Sequence, residues 1–245
     1  MPTANWVILP AVAVLALSAC ATPSGQVPQA FSALLADPGR PAADVTRDAD
    51  RRPGELMSFA GVRAGQRIAE LAPGGGYFTR LLASAVGASG RVYAVAGRPS
   101  TALTELSTNR PNLAILAAGP GTIPVPEPVD LVWTTLNYHD FKNSKLPNGD
   151  AAKAVNAEAF RVLKPGGTYL VVDHQGAPGT GASETSTLHR IEDVQVVREV
   201  EAAGFRLEKQ SDLLRHPADT HTLKVQETGI RGKTDQFVLK FRKPG

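Results

Sequence analysis

The 245-residue chain has one cysteine, Cys20, and that scarcity excludes a good deal. Without a second thiol there is no intrachain disulfide, no thiolate metal cluster and no cysteine nucleophile in the body of the chain. Aromatic residues make up only 6% and no run of Lys or Arg exceeds two residues, so the basic, aromatic-interleaved surface that holds nucleic acid is missing. The net charge of +3 is small and both signs are spread along the chain, so no nucleic-acid partner is expected. No apolar run reaches the roughly 20 residues that a membrane-spanning helix requires.

The first 19 residues carry no charged side chain, and residues 6–17 form an apolar stretch. Too short for a span, it has the length of a signal-peptide core. It runs into Leu17-Ser18-Ala19-Cys20, which resembles the lipobox of bacterial lipoproteins, where small residues admit the signal peptidase and the thiol accepts the lipid. The resemblance implies a signal peptide over 1–19, lipidation at Cys20 and a membrane anchor facing the periplasm. Ala21 rather than Asp follows the cysteine, which points to the outer membrane. The leading segment has no Lys or Arg, however, so the alternative is a plain apolar N-terminus and a cytoplasmic protein. Residues 20–40 mix Pro, Gly, Ser and Ala and read as a tether with at most one short helix.

From residue 41 to 245 strand-like and helix-like segments alternate, which predicts a single α/β domain on a mostly parallel sheet. Residues 41–62 read as a helical lead-in broken near Pro53. The strands are "QRIAELA", "GRVYAVA", "NLAILAA", "VDLVWTTLN" and "TYLVVDH", then "FRLEKQSDLL" and "TDQFVLKFRK" at the C-terminal end. A helix over "DAAKAVNAEAFRVL" is expected to close at Lys164-Pro165-Gly166-Gly167 on a left-handed glycine. "LHRIEDVQVVREVEAAG" is expected to be one amphipathic helix ending at Gly204.

The first strand runs into "ELAPGGGYF", three glycines before a helix. Glycine lets a ligand approach the backbone, and the helix start turns N–H groups toward it. No Gly-Lys-Ser/Thr follows, which excludes the Walker phosphate loop. The dinucleotide pattern is met poorly, because Thr79 stands where Gly or Ala would allow close packing. Glu70 followed by Leu71-Ala72-Pro73-Gly74-Gly75-Gly76 resembles motif I of class I S-adenosylmethionine (SAM) methyltransferases. "FRVLKPGGTYLVVD", about ninety residues on, resembles the entry to strand five of that family. Asn-Tyr-His-Asp at 137–140, Asp173-His174 and Leu188-His189-Arg190 narrow the resemblance to a bacterial group of predicted methyltransferases.

The resemblance implies a three-layer Rossmann-like sandwich, with a seven-stranded, mostly parallel sheet and a C-terminal antiparallel hairpin. It implies SAM as cofactor, bordered by Glu70, Ala72, Gly74, Gly75 and Gly76, with Thr135 and Asn137 facing it from strand four. Ala72 replaces the loop's first glycine. Ala96 stands at the end of strand two, where the family places a carboxylate on the ribose hydroxyls. Losing that contact costs about 1.5–3 kcal/mol, or roughly tenfold to a hundredfold in affinity.

Beyond strands four and five lie His139, Asp140, Asp173 and His174, with His189 and Arg190 placed to close over them. Three roles stay open. His139 or His174, with Asp140 beside them, serves as general base toward the acceptor. Alternatively Asp140, Asp173 and His174 bind a divalent cation, or all of these residues are satisfied loop formers. Arg47 and Arg51, one helical turn apart, are either an ion-paired exposed face or a lid on the ligand. The expected function is methyl transfer to a small-molecule or lipid-like acceptor. The alternatives are a lipid-anchored binding protein of the same fold without catalysis, or a metal-dependent enzyme using the same crevice.

Overall fold

The computed structural model describes Met1 and residues 28–245. The signal segment and Cys20 lie outside the described residues. Among the described residues no helix is long and apolar enough to cross a membrane.

Seven strands form one sheet: β1 (Arg67–Leu71), β2 (Arg91–Ala96), β3 (Leu113–Ala117), β4 (Val129–Thr135), β5 (Leu163–His174), β6 (Arg206–Ser211) and β7 (Gln236–Arg242). Their order is β3-β2-β1-β4-β5-β7-β6, and β7 runs antiparallel to both of its neighbours. The central strands are nearly continuous apolar runs because helices cover both faces. Successive side chains point to opposite faces, so Ile68, Leu131 and Leu170 join one core while Ala69, Val132 and Tyr169 join the other.

The first core is closed by α1 (Gln29–Leu35), α4 (Pro53–Ala60), α5 (Tyr77–Val86) and α6 (Thr101–Thr108). Between α1 and α4 lie two one-turn helices, α2 (Ala42–Val45) and α3 (Asp48–Arg51). The second core is closed by α7 (Tyr138–Asn143), α8 (Ala151–Val162) and α9 (Asp193–Ala202). The expected break at Pro53 is present. Arg52 adopts φ +42°, and Pro53 opens α4 at the position where its missing N–H costs nothing.

The one short helix allowed within the expected tether is present as α1, with Phe31 buried against the first core. Two local expectations need correction. Lys164-Pro165-Gly166-Gly167 does not close a helix; α8 ends at Val162 and the glycines kink β5. Gly166, at φ +70°, donates its N–H to the Lys243 carbonyl, and Gly167 accepts from Lys243, so β7 pins the kink. Residues 188–192 are not helical; Gln175 and Ile191 form a parallel bridge beside β5, and α9 starts only at Asp193.

β1 and β4 run parallel, and the order of successive strands reverses between them, so their carboxyl ends open a crevice. The glycine loop enters it from β1, and Leu136 and Asn137 enter it from β4.

If α1 is part of the folded body, Phe31→Ala lowers unfolding stability by about 3 kcal/mol. Urea denaturation of the full-length chain measures this, and an unchanged midpoint would mean that α1 is undocked.

Candidate active site

The turn after β1 is held by its own backbone. Ala72 N–H donates to Val95 O at 2.9 Å and Gly76 N–H to Pro73 O at 2.9 Å, with Ala72 at φ +49°, Gly74 at +58° and Gly76 at +83°. The glycines do different work. A Cβ on Gly74 or Gly75 would meet nothing within 4 Å, whereas one on Gly76 would lie 3.1 Å from Leu106. The first two therefore leave backbone open toward the crevice, and the third packs α5 against α6. Ser100, which caps α6, donates its hydroxyl to Gly74 O at 3.0 Å and ties the loop to the end of β2.

Glu70 borders a cavity of about 260 Å³ together with the glycine loop, Tyr77 and Leu136. Its side chain is buried and accepts a hydrogen bond from Thr79 Oγ1 at 2.6 Å. That explains the threonine that broke the dinucleotide pattern. Burial pushes the Glu70 carboxyl up to about 7, against the opposing pull of the Thr79 hydroxyl and the Arg80 and Arg51 charges.

Arg47 and Arg51 border the same cavity, with their guanidiniums 4.9 and 4.7 Å from the centre of the Tyr77 ring. Arg47 is exposed and ion-paired with Asp44 at 2.5 Å, as an exposed charged face would have it, while half-buried Arg51 faces the cavity. Asn137 spends its amide on the protein, donating to Thr135 O at 2.6 Å and Ala72 O at 3.3 Å, and so locks the β4 end to the glycine loop.

A neighbouring cavity of about 280 Å³ lies between Ala72, Gly97, Gly119 and Asn137. Ala96 ends β2 at its edge and no carboxylate stands there. Asp140 is the sole acidic residue on its lining among the described residues.

On the other side of Asn137, β4 and β5 bring the expected polar residues together. Asp173 is fully buried, yet its carboxylate is well served. It accepts from His139 N–H at 2.7 Å, from His139 Nδ1 at 2.8 Å and from His174 N–H at 2.8 Å. Burial alone would raise its pKa, but the His139 charge and hydrogen bonds hold it below the usual carboxylate range. For His139, burial favours the neutral ring, while the charge and hydrogen bond of Asp173 outweigh it and raise the pKa.

His174 is buried beside Thr234 Oγ1 at 2.7 Å, and burial pulls it down to about 4, so its ring is neutral. Of the expected metal candidates, Asp173 is turned inward onto protein partners, and His174 bonds Thr234 while bordering a further cavity. The group that does converge is His139, Asp140 and His189: His139 Nε2 lies 3.3 Å from His189 Nδ1, and Asp140 Oδ1 lies 3.4 Å from each.

His189 was foreseen only as a cover over the site. Its place is fixed by the segment misread as helix: Ile191 N–H donates to His174 O, and Leu188 accepts from Val225 N–H. The fully buried Arg190 donates to Gln175 O and Leu223 O, each at 3.0 Å, and pairs with Asp219 at 2.9 Å. So clamped, His189 holds φ +58°, a costly conformation for a residue with a side chain.

The fold and crevice define a Rossmann-like α/β domain. Residues 69–171 match the family described as "Methyltransferase domain". A comparison with curated protein sequences finds no match. Among solved structures, the chain is similar to a SAM-dependent methyltransferase from Aquifex aeolicus, at 18% identity over 82% of this chain and 95% of that one, TM-score 0.60. A Burkholderia thailandensis 1,6-didemethyltoxoflavin-N1-methyltransferase, with 1,6-didemethyltoxoflavin and S-adenosylhomocysteine bound, matches at 16% identity over 83% of this chain and 79% of that one, TM-score 0.56. The [4+2]-cyclase SpnF matches at 18% over 80% and 81%, TM-score 0.57, so the fold does not by itself fix the reaction.

The buried carboxyl of Glu70 gives the fold a pH signature. Its folded pKa of about 7 lies above the ordinary 4.5, so its contribution is most favourable below pH 4.5 and is lost as pH rises through 7. The total loss is about 3 kcal/mol. Glu70→Gln is then more stable than the parent at pH 8, with the gap closing toward pH 5, as read by urea unfolding at both pH values. A gap independent of pH would show that Glu70 is ionised in the fold.

Proposed function

We propose that the protein is a SAM-dependent methyltransferase acting on a small molecule with a nucleophilic heteroatom. The observation that carries this is the open backbone of Gly74 and Gly75 in a cavity flanked by Glu70, Arg47 and Arg51. Those residues fit a ligand that bears both a carboxylate and an ammonium group. The adjoining cavity by Gly97 and Gly119 accepts the adenosine half. SAM supplies an electrophilic methyl on a sulfonium, and the protein supplies position, exclusion of water and activation of the acceptor.

The acceptor enters through a third cavity of about 390 Å³ lined by Arg47, Arg51, Leu136, His174, Arg231 and Gln236. Three guanidiniums against one carboxylate, Asp50, favour an acceptor carrying negative charge. His139 is the proposed activating group: Asp173 holds its Nδ1, and its Nε2 lies beside His189 and beside Asp140, which borders the cavity by Gly97. His174, neutral and bound to Thr234, positions the wall of that cavity. A lipid-like acceptor would suit the proposed N-terminal anchor at Cys20, which places the enzyme on the periplasmic face of a membrane.

Calorimetric titration of SAM into the full-length protein tests the assignment. Micromolar binding displaced by S-adenosylhomocysteine is the expected result, and Ala96→Asp tightens it about tenfold to a hundredfold by restoring a ribose acceptor. Absence of binding at millimolar SAM in both proteins would leave a non-catalytic binding protein of the same fold. For the anchor, Cys20→Ser shifts the protein from the membrane to the soluble fraction on cell fractionation, whereas an unchanged distribution excludes lipidation as the tether.

A further inference from the structure

Three electron-pair donors, two from the first turn of α7 and one from the loop before α9, meet at the mouth of the crevice. His139 Nε2, His189 Nδ1 and Asp140 Oδ1 form a triangle with sides of 3.3, 3.4 and 3.4 Å. A tetrahedral cation with bonds of about 2.0–2.1 Å holds its donors about 3.3–3.4 Å apart, whereas an octahedral ion with the same bonds requires about 2.9 Å. The triangle has the tetrahedral dimension.

Asp173 lies 2.8 Å from His139 Nδ1, which turns Nε2 toward His189 and Asp140. The backbone meanwhile keeps His189 at φ +58° to hold its ring in place. The site is also reachable, because the Asp140 and His189 side chains are 51% and 24% exposed.

We propose that His139, Asp140 and His189 bind a divalent transition metal, zinc by ligand type and geometry, with a fourth position open to the crevice. Two imidazoles and one carboxylate with a vacant position form a ligand set that suits a Lewis-acid site, and the Asp173 carboxylate behind His139 is the support such histidines use. Its role in the reaction rests on the assignment of the crevice to the acceptor. There the open position takes the acceptor heteroatom, whose proton leaves to water and whose remaining lone pair faces the methyl group.

Chelator-stripped full-length protein is titrated with Zn²⁺ against a chromophoric chelator, and with Co²⁺ by visible absorption. The expected result is one equivalent of Zn²⁺ and the intense d–d spectrum of four-coordinate Co²⁺. His189→Ala weakens binding on the order of a hundredfold or more by removing a ligand. Asp173→Asn weakens it about tenfold to a hundredfold through His139, and His216→Ala, outside the triangle, leaves it unchanged. No stoichiometric binding at micromolar Zn²⁺, or parental affinity in His189→Ala, overturns the site. SAM titration of the same sample separates the two ideas: SAM binding without metal removes this site alone, and metal binding without SAM removes the methyltransferase assignment alone.

Discussion

A carboxylate cut off from water at the end of the central sheet is the constraint on which the crevice is built. Asp173 has no solvent exposure, and an unpaired charge there would cost several kcal/mol. Its position is tolerable because the loop after β4 delivers both the backbone N–H and the ring of His139 to it, while the next residue of its own strand gives a third N–H. The demand for partners fixes the start of α7 over the end of β5. It also fixes which nitrogen of His139 faces Asp140 and His189.

A second constraint comes from the buried Arg190. Its guanidinium ties the end of β5 to the long segment between β6 and β7 through Gln175, Leu223 and Asp219. That tie stops residues 188–191 from joining α9 and leaves His189 at the mouth. A helix there would have carried His189 away from His139. The polar site thus depends on two buried charges, each neutralised by a different stretch of chain.

Under the proposed assignment the cofactor side is unevenly furnished. The glycine-loop end has open backbone, Glu70 and two arginines stacked near Tyr77, while β2 ends on Ala96 and offers no carboxylate. Affinity for an adenosyl ligand would then come mostly from the glycine loop, the arginines and the enclosing cavity walls. The same architecture serves a cyclase as well as methyltransferases, so residues at the crevice mouth, rather than the sheet, decide the chemistry.

Much of the fold was legible in the sequence because hydrophobic periodicity is a local code. Alternating strands and helices, the glycine loop after Glu70 and the break at Pro53 each follow from a few adjacent residues. The glycines at 166 and 167 were misread because a left-handed glycine closes helices and kinks strands alike, and only pairing with Lys243 chooses between them. Thr79 and the arginines before β1 were visible, but their partners across the crevice were not. The sequence by itself determined the layered sheet and the place where a ligand enters it. Only the tertiary structure decided that His189, fifty residues beyond His139, joins it and Asp140, while Asp173 turns inward and His174 bonds Thr234. The physical reason is that loop paths are set by distant buried charges and hydrogen bonds, which leave no periodic mark in the chain.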